Sequence, residues 1–425
     1  IIADHKNIDN DSGLLKSNGT LSLSANEVNN QSATIDAKKN AKLTANKIDN
    51  SNKGQINIAG NLDFYDTATI SNNSAGSKIK AIGNVTIHSG FVNNDNGIIF
   101  SEGNVSTKNL SNNSGFIEAL GNITINHAAQ TSLDNKDGKI HIVYSDIEKI
   151  QNVAVKDKLI TINAKKGGVD LNDNSSIKSA GAIVFDIGTK AFDMVKNIQS
   201  NGLLDIRTGN FTNNKLFKNT GKIKITSTGH ITNEHEMHGA NDIELISEYF
   251  NNNGKIFSTK SLILKTAKNL NNNQNSLLYA ANNIKINAAN INDNDGEKNS
   301  KLENIKARIE SYAGDINIFT KDFLNKGRVT QSGSPIWQRI YDEGTKYGIE
   351  TDDTWVDLDI SASVAGNEAK ILAGRDINIF ADKFHNDASS IFSDRNIKIR
   401  SNNAFNTSYQ DKYLLSIVHR HWHWG

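Results

Sequence analysis

The sequence predicts an all-β protein built as one parallel β-helix, a solenoid of about twenty residues per rung with a non-repeating excursion near its C-terminal end. Two observations carry that prediction. A short apolar phrase returns at nearly constant spacing along most of the chain, and within each phrase apolar and polar residues alternate. A third supports it: 425 residues contain a single proline, Pro335, as expected where most backbone N–H groups serve a ladder.

In one half of each unit a Gly, Asn or Asp leads into apolar-x-apolar, as in Gly60-Asn61-Leu62-Asp63-Phe64, Gly83-Asn84-Val85-Thr86-Ile87 and Asn241-Asp242-Ile243-Glu244-Leu245. The first apolar residues, Leu21, Ala41, Leu62, Val85, Val105 and Ile123, and then Ile183, Leu204, Ile223, Ile243, Leu262 and Ile284, lie about 18 to 23 residues apart. Alternation of period two makes each phrase a strand, because successive side chains point to opposite faces. The other half reads apolar-x-Asn, often followed by Gly-x-apolar, as in Leu110-Ser111-Asn112-Asn113-Ser114-Gly115-Phe116 and Phe250-Asn251-Asn252-Asn253-Gly254-Lys255-Ile256. These are corners. Asparagine tolerates the left-handed conformation of a tight corner, and its amide can bond its own backbone or the same residue one rung away. About sixty asparagines occur, clustered at the ends of the apolar phrases.

Units of this size with two or three short strands cannot bury an inward face alone, so they stack on their neighbours. Roughly eighteen to twenty rungs spaced about 4.8 Å apart give a rod on the order of 90 Å long. The apolar fraction of 37% is low for a compact fold but sufficient for the thin core of a solenoid.

Three stretches interrupt the register. Residues from about 141 to 158 read as an irregular rung or protruding loop, and Gly296 to Glu303 as a surface loop. The third, between Val329 and Ala369, loses the phrase altogether before it returns as Ala373-Gly374-Arg375-Asp376-Ile377-Asn378-Ile379. The expected organisation is therefore repeats over 1–329, an aromatic-rich excursion over 330–369, and further rungs over 370–425 leading into a receptor-binding region. Within the excursion Val356, Leu358, Ile360, Ala362 and Val364 alternate as a strand with one apolar face.

Bulk properties exclude several functions. A net charge of +1 without a basic stripe argues against a nucleic-acid binder, and no apolar run is long enough to span a bilayer as a helix. Cysteine is absent, so there is neither a disulfide framework nor a thiolate metal site. The chain opens in mid-pattern without a signal peptide and reads as an interior piece of something longer. No cofactor is implied.

Candidate contact residues concentrate where the phrase stops. Trp337, Tyr341, Tyr347 and Trp355 in the excursion, with Trp422 and Trp424 at the end, are the residue types that carry energy at interfaces. The alternative is that Trp337 and Trp355 form a small core pinning the excursion to the rod. His419, His421 and His423 alternate and share one face of a strand, where imidazoles can hold zinc, copper or nickel, although no acidic partner lies nearby in sequence. A row of half-exposed aromatic and basic residues is the other reading. Parallel β-helices also serve polysaccharide-cleaving enzymes, for which Asp357 and Asp359, on one strand face, are the candidate acid pair; two acids on the polar side of an amphipathic strand are more simply solvated. Acids elsewhere, such as Asp49, Asp95, Asp134 and Asp293, sit at turn positions, and no nucleophile elbow, phosphate loop or zinc-protease motif is present.

The Ala-Gly-Arg-Asp-Ile-Asn-Ile phrase at 373–379 and Ala-Leu-Gly-Asn-Ile-Thr-Ile at 119–125, joined to the apolar-x-Asn corners, resembles the filamentous haemagglutinin repeat of two-partner-secreted bacterial exoproteins. The resemblance covers roughly 1–329 and 369–400. It implies a right-handed β-helix exported by a dedicated outer-membrane β-barrel partner and extending from the bacterial surface. It also implies use in adhesion or in toxin delivery to a neighbouring cell through a target-cell or host receptor, with the contact-dependent growth inhibition exoproteins the favoured subgroup. On this reading the chain is a rigid stalk and not an enzyme. The first alternative is an adhesin module binding directly through 330–369 and the C-terminal aromatics, and the second is a polysaccharide-degrading enzyme.

Overall fold

The computed structural model describes residues 1, 3, 6–88, 90–143, 157–288, 297–327 and 368–407, together with the backbone of four short strands between 330 and 363. Among these residues the chain winds into a parallel β-solenoid of about 16 turns with about 21 residues per turn and no helix. At about 4.8 Å per turn the rod is on the order of 75 Å long.

Each turn has three faces. Val85–Ile87, Phe91–Asn93 and Ile98–Ser101 make one turn, and Val105–Thr107, Asn109–Ser111 and Phe116–Ala119 the next. Val85 lies opposite Val105, Val92 opposite Leu110 and Ile99 opposite Ile117, all in parallel register. The first and second faces form one 29-stranded sheet, and the third face is divided into a 9-stranded and a 7-stranded sheet. The anchors expected from the sequence fall opposite one another, Leu21 on Ala41, Ala41 on Leu62, and so on to Ile284 on Ile316 and Ile316 on Ile377.

One expectation fails. The stretch ending at Glu303 is not a loop: Asn299–Ile305 is a strand, with Leu302 opposite Leu270 on one side and Phe323 on the other. Leu302-Glu303-Asn304 is another apolar-x-Asn phrase, and its burial of Leu302 and Asn304 draws the segment into the second face. Residues 144–156, expected as an irregular rung, lie outside the described residues.

One main cluster of the core runs the length of the rod, with a small separate cluster of Ala288, Phe319 and Phe380. A turn contributes two apolar side chains from the first face, an apolar residue and an asparagine from the second, and a large and a small residue from the third. In one turn these are Val85 and Ile87, Val92 and Asn94, and Ile99 and Ser101, all buried. Each large apolar member contributes roughly 1.5 to 3 kcal/mol.

The asparagine of apolar-x-Asn points inward. Asn10, Asn30, Asn50, Asn72, Asn94, Asn112 and Asn135 form a ladder in which each Nδ2 donates to the next Oδ1 at 2.6–2.8 Å. A second ladder runs through Asn213, Asn233, Asn252, Asn272, Asn304, Asn325, Asn386 and Asn406 at 2.7–2.8 Å. The remaining amide hydrogen reaches backbone carbonyls of the corner, as from Asn94 to Gly97 and Phe116. The inward amides thereby find partners within the stack, Asn213 Oδ1 at the start of the second ladder excepted.

Glycine follows because nothing larger fits. A Cβ on Gly115 would lie 2.1 Å from the carbonyl oxygen of Asn94, and one on Gly97 would lie 1.7 Å from that of Asn72. Gly115→Ala must push two turns apart, and we expect it to cost about 3 kcal/mol in a urea titration. At the corner before the first face a different ladder operates: Asn61, Asn84, Asn104 and Asn122 each donate a backbone N–H to the Oδ1 of the preceding turn's asparagine, at 2.7–2.9 Å. This explains the Gly-Asn lead-in.

Candidate functional surface

The excursion leaves the rod without displacing a turn. Ile316–Lys326 before it and Ile377–Asp387 after it pair directly from Ile316–Ile377 to Lys326–Asp387, and Arg308–Ser311 pairs with Lys370–Ala373. Asn325 donates to Asn386 across the insertion at 2.7 Å. The chain departs at Gly327, whose N–H bonds the Asp387 carbonyl, and re-enters at Ala369, whose carbonyl accepts from Ser390. Everything between is added at one corner.

Within it Ile336–Tyr341 and Asp353–Leu358 form an antiparallel ribbon, in contrast to the parallel rod. Trp337 falls opposite Asp357, Arg339 opposite Trp355, and Tyr341 opposite Asp353. Directly opposed residues share a face of a ribbon, so these register positions gather two tryptophans, a tyrosine, an arginine and two acids on one side. Ala362–Ser363 pairs separately with Thr330–Gln331, so the strand expected from Val356 to Val364 is present as two segments around 359–361, which lie outside the described residues. Of the sequence-predicted residues, Trp337, Tyr341 and Trp355 are brought together. Tyr347, Trp422, Trp424, His419, His421, His423 and Asp359 lie outside the described residues.

On the rod itself, aromatic side chains unremarked in the sequence form columns along the axis. Tyr65 and His88 stack at 4.1 Å with Lys42 over the other face of the tyrosine at 4.4 Å. His230 and Tyr249 stack at 4.6 Å with Lys268 5.0 Å from the tyrosine ring. On the third face His238, Phe257 and Tyr279 follow one another at 4.7 and 6.0 Å. Their ring faces are occupied by one another, so these columns reinforce the ladders rather than offer stacking platforms. The signal for them is register, which becomes visible only once turns of unequal length are aligned.

Two histidines are built into the rod in neutral form. His127 is buried; its Nδ1 accepts the Leu110 N–H at 3.2 Å and its Nε2–H donates to the Thr131 carbonyl at 2.8 Å. Burial holds its pKa below the usual imidazole value. His141 contacts the Ser176 hydroxyl at 2.9 Å, and burial together with Lys178 and Lys139 pushes its pKa down to about 4. A depressed folded pKa means the unfolded chain takes up the proton first, so the stabilisation is present above about pH 6.5 and is lost as pH falls through the folded value. We expect stability to decline between pH 6.5 and pH 4, and His141→Gln to flatten that decline when unfolding is followed by circular dichroism.

Among the described residues no group of three or more His, Asp or Glu side chains could hold a metal ion, and no helix is long and apolar enough to cross a membrane. Comparison with curated proteins and with solved structures found no match to this chain. The family model for the haemagglutinin repeat matches residues 5–64, 159–266, 238–303 and 356–409, more than half of the chain; the turns between 69 and 142 lie outside the matches and continue the same stack. Such a rod is consistent with a secreted, adhesin-like filamentous protein, and the repeat belongs to structural and adhesive proteins rather than to enzymes. On the joint ground of its stacked turns and these matches, the chain belongs to the haemagglutinin-repeat family.

Proposed function

We propose that this chain is the stalk of a secreted cell-surface exoprotein, exported by an outer-membrane β-barrel partner in two-partner secretion and used in adhesion or contact-dependent growth inhibition. In this role it holds a receptor-binding or toxin-delivering element away from the producing cell. The observation that carries this reading is the continuity of the stack. A parallel ladder on the first face and two buried asparagine ladders run along one axis. Such a body resists bending within each run of paired turns and grows in reach with every turn added.

A whole-turn deletion tests it. Removing 223–242 joins Lys222 to Ile243, whose register positions coincide with those of Ile223, so the stack closes one turn shorter. Cells displaying the shortened chain should attach to target cells within about twofold of the parent. Attachment lost with the β-solenoid spectrum intact would mean that the deleted surface itself makes the contact, and the stalk reading would fall.

A second reading is favoured by a specific observation. The ribbon places Trp337, Tyr341 and Trp355 at register positions on one side, on a segment inserted at a corner where it adds nothing to the ladder. The excursion is then an adhesin module that engages a target-cell receptor directly.

A further inference from the structure

We infer that the solenoid contains a one-sided joint between Asp170 and Phe217, where two stiff stacks meet and bend about a single continuous column of strands. Four observations coincide there. On the second face Leu133–Asp134 pairs with Val169–Asp170, and Ala191–Asp193 pairs with Asn210–Asn213, but no ladder links Val169–Asp170 to Ala191–Asp193. On the third face Asn197–Ser200 ends the 9-stranded sheet and Phe217–Asn219 begins the 7-stranded one. In place of a ladder the gap is crossed by the Ser200 N–H donating to Asn219 Oδ1 at 2.8 Å and by a single backbone bond from the Gly221 N–H to the Ser200 carbonyl at 3.0 Å.

The interior ladder breaks at the same level. Register places Leu171 opposite Asn135 and Met194 opposite Asn213, so two turns carry apolar side chains where the others carry asparagine. As a result Asn213 Oδ1 is buried without a hydrogen-bond partner, while its Nδ2 still donates to Asn233. In place of the ladder the core is filled by Met194 and by Phe185, Phe192 and Phe211, whose rings lie 5.1 and 6.2 Å apart in sequence order.

Only the first face passes through unbroken. Leu159–Asn163, Ala182–Asp186, Leu204–Thr208 and Ile223–Ser227 pair in succession over four to five residues each. Hydrogen-bonded ladders fix both distance and direction, whereas apolar packing is non-directional and tolerates small rotations. The two gaps fall at successive steps, since Ser176–Ser179 still pairs with Asn197–Ser200 across the first and Ala191–Asp193 with Asn210–Asn213 across the second. Each step thus has one face held by packing, and the first face, the only ladder continuous through both, is the spine of the hinge. Bending opens or closes the opposite side.

The absence of cysteine allows paired spin labels to be placed on the intact chain without background. Lys80 and Lys218 on the third face are six turns apart across the joint, counted through Phe100, Glu118, His141, Lys178 and Gln199. Lys218 and Phe392 are six turns apart within the second stack, counted through His238, Phe257, Tyr279, Glu310 and Leu372. Both pairs should centre near 29 Å. The expected result is a distance distribution at least twice as broad across the joint as within the stack. Amides in 168–172 and 191–200 should also exchange at least tenfold faster than those in 243–252. Equal widths and equal exchange in the two regions would overturn the joint. Completing the ladder with Leu171→Asn and Met194→Asn should narrow the distribution; should that variant not fold, the comparison within the native chain still decides.

Discussion

Removing residues 328–368 leaves the rod folded and abolishes attachment to target cells. The structural half of this expectation follows from corner length. In the preceding turn four steps lead from Asn304 to Arg308; after the deletion Asn325-Lys326-Gly327 runs straight into Ala369-Lys370, again four steps. The same positions already face one another across turns, since Asn304 donates to Asn325 and the Lys370 N–H bonds the Ala307 carbonyl. Closing a loop of roughly forty residues down to an ordinary corner removes about 2 kcal/mol of chain entropy cost, so the shortened rod should be no less stable than the parent. The functional half rests on the excursion as the adhesive element. Aggregation of the shortened chain, or loss of its β spectrum, would show that the excursion is integral to the core. Attachment that survives the deletion would place the contact elsewhere and leave the stalk without a receptor element at this corner.

Replacing a single interior asparagine should be the most damaging conservative change in the rod. Asn94→Ala removes the acceptor of Asn72 Nδ2 and the donor to Asn112 Oδ1, and opens a gap beside Val92 and Ile99. Two buried amides each lose a partner at about 1 to 3 kcal/mol, giving about 2 to 6 kcal/mol before any cavity is counted. Asn94→Leu restores the volume but not the partners and should recover only part of the loss. Asn73, adjacent to a ladder member but exposed, provides the control, and its replacement by Ala should stay within about 0.5 kcal/mol. Because turns interact only with their neighbours, the damage should appear as local unfolding around the severed step, visible as hydrogen exchange concentrated in flanking turns. A uniform small loss would show that the amide ladder adds little to the apolar core.

Much of this architecture was legible from residue order. Alternation in Leu62-Asp63-Phe64 and Val85-Thr86-Ile87 is a local property, and the same phrase repeated at similar spacing leaves few ways to bury its apolar side. The match of every anchor from Leu21 to Ile377 follows from that. The Leu302-Glu303-Asn304 phrase was masked by the longer step before it, which takes it out of the spacing that the other phrases keep. In the excursion the aromatics were visible as composition, but their antiparallel register, which brings Trp337, Arg339, Tyr341 and Trp355 to one side, depends on pairing across a connection of variable length.

The sequence by itself determined that the protein is a stack of turns of about twenty residues, with two or three short strands each, because strand periodicity and corner chemistry are set by residues close in the chain. It also located the one long departure from the stack. What only the tertiary structure decided are relations between residues about twenty or more positions apart. These include the inward turn of the corner asparagines into two ladders, the self-stacked aromatic columns, the insertion of 328–368 at a single corner, and the coincident breaks around Met194. The physical reason is common to all of them. Corner lengths vary from turn to turn, so which side chains become neighbours is fixed by the accumulated register of the stack, and the energy of a buried amide depends on the turn above and the turn below.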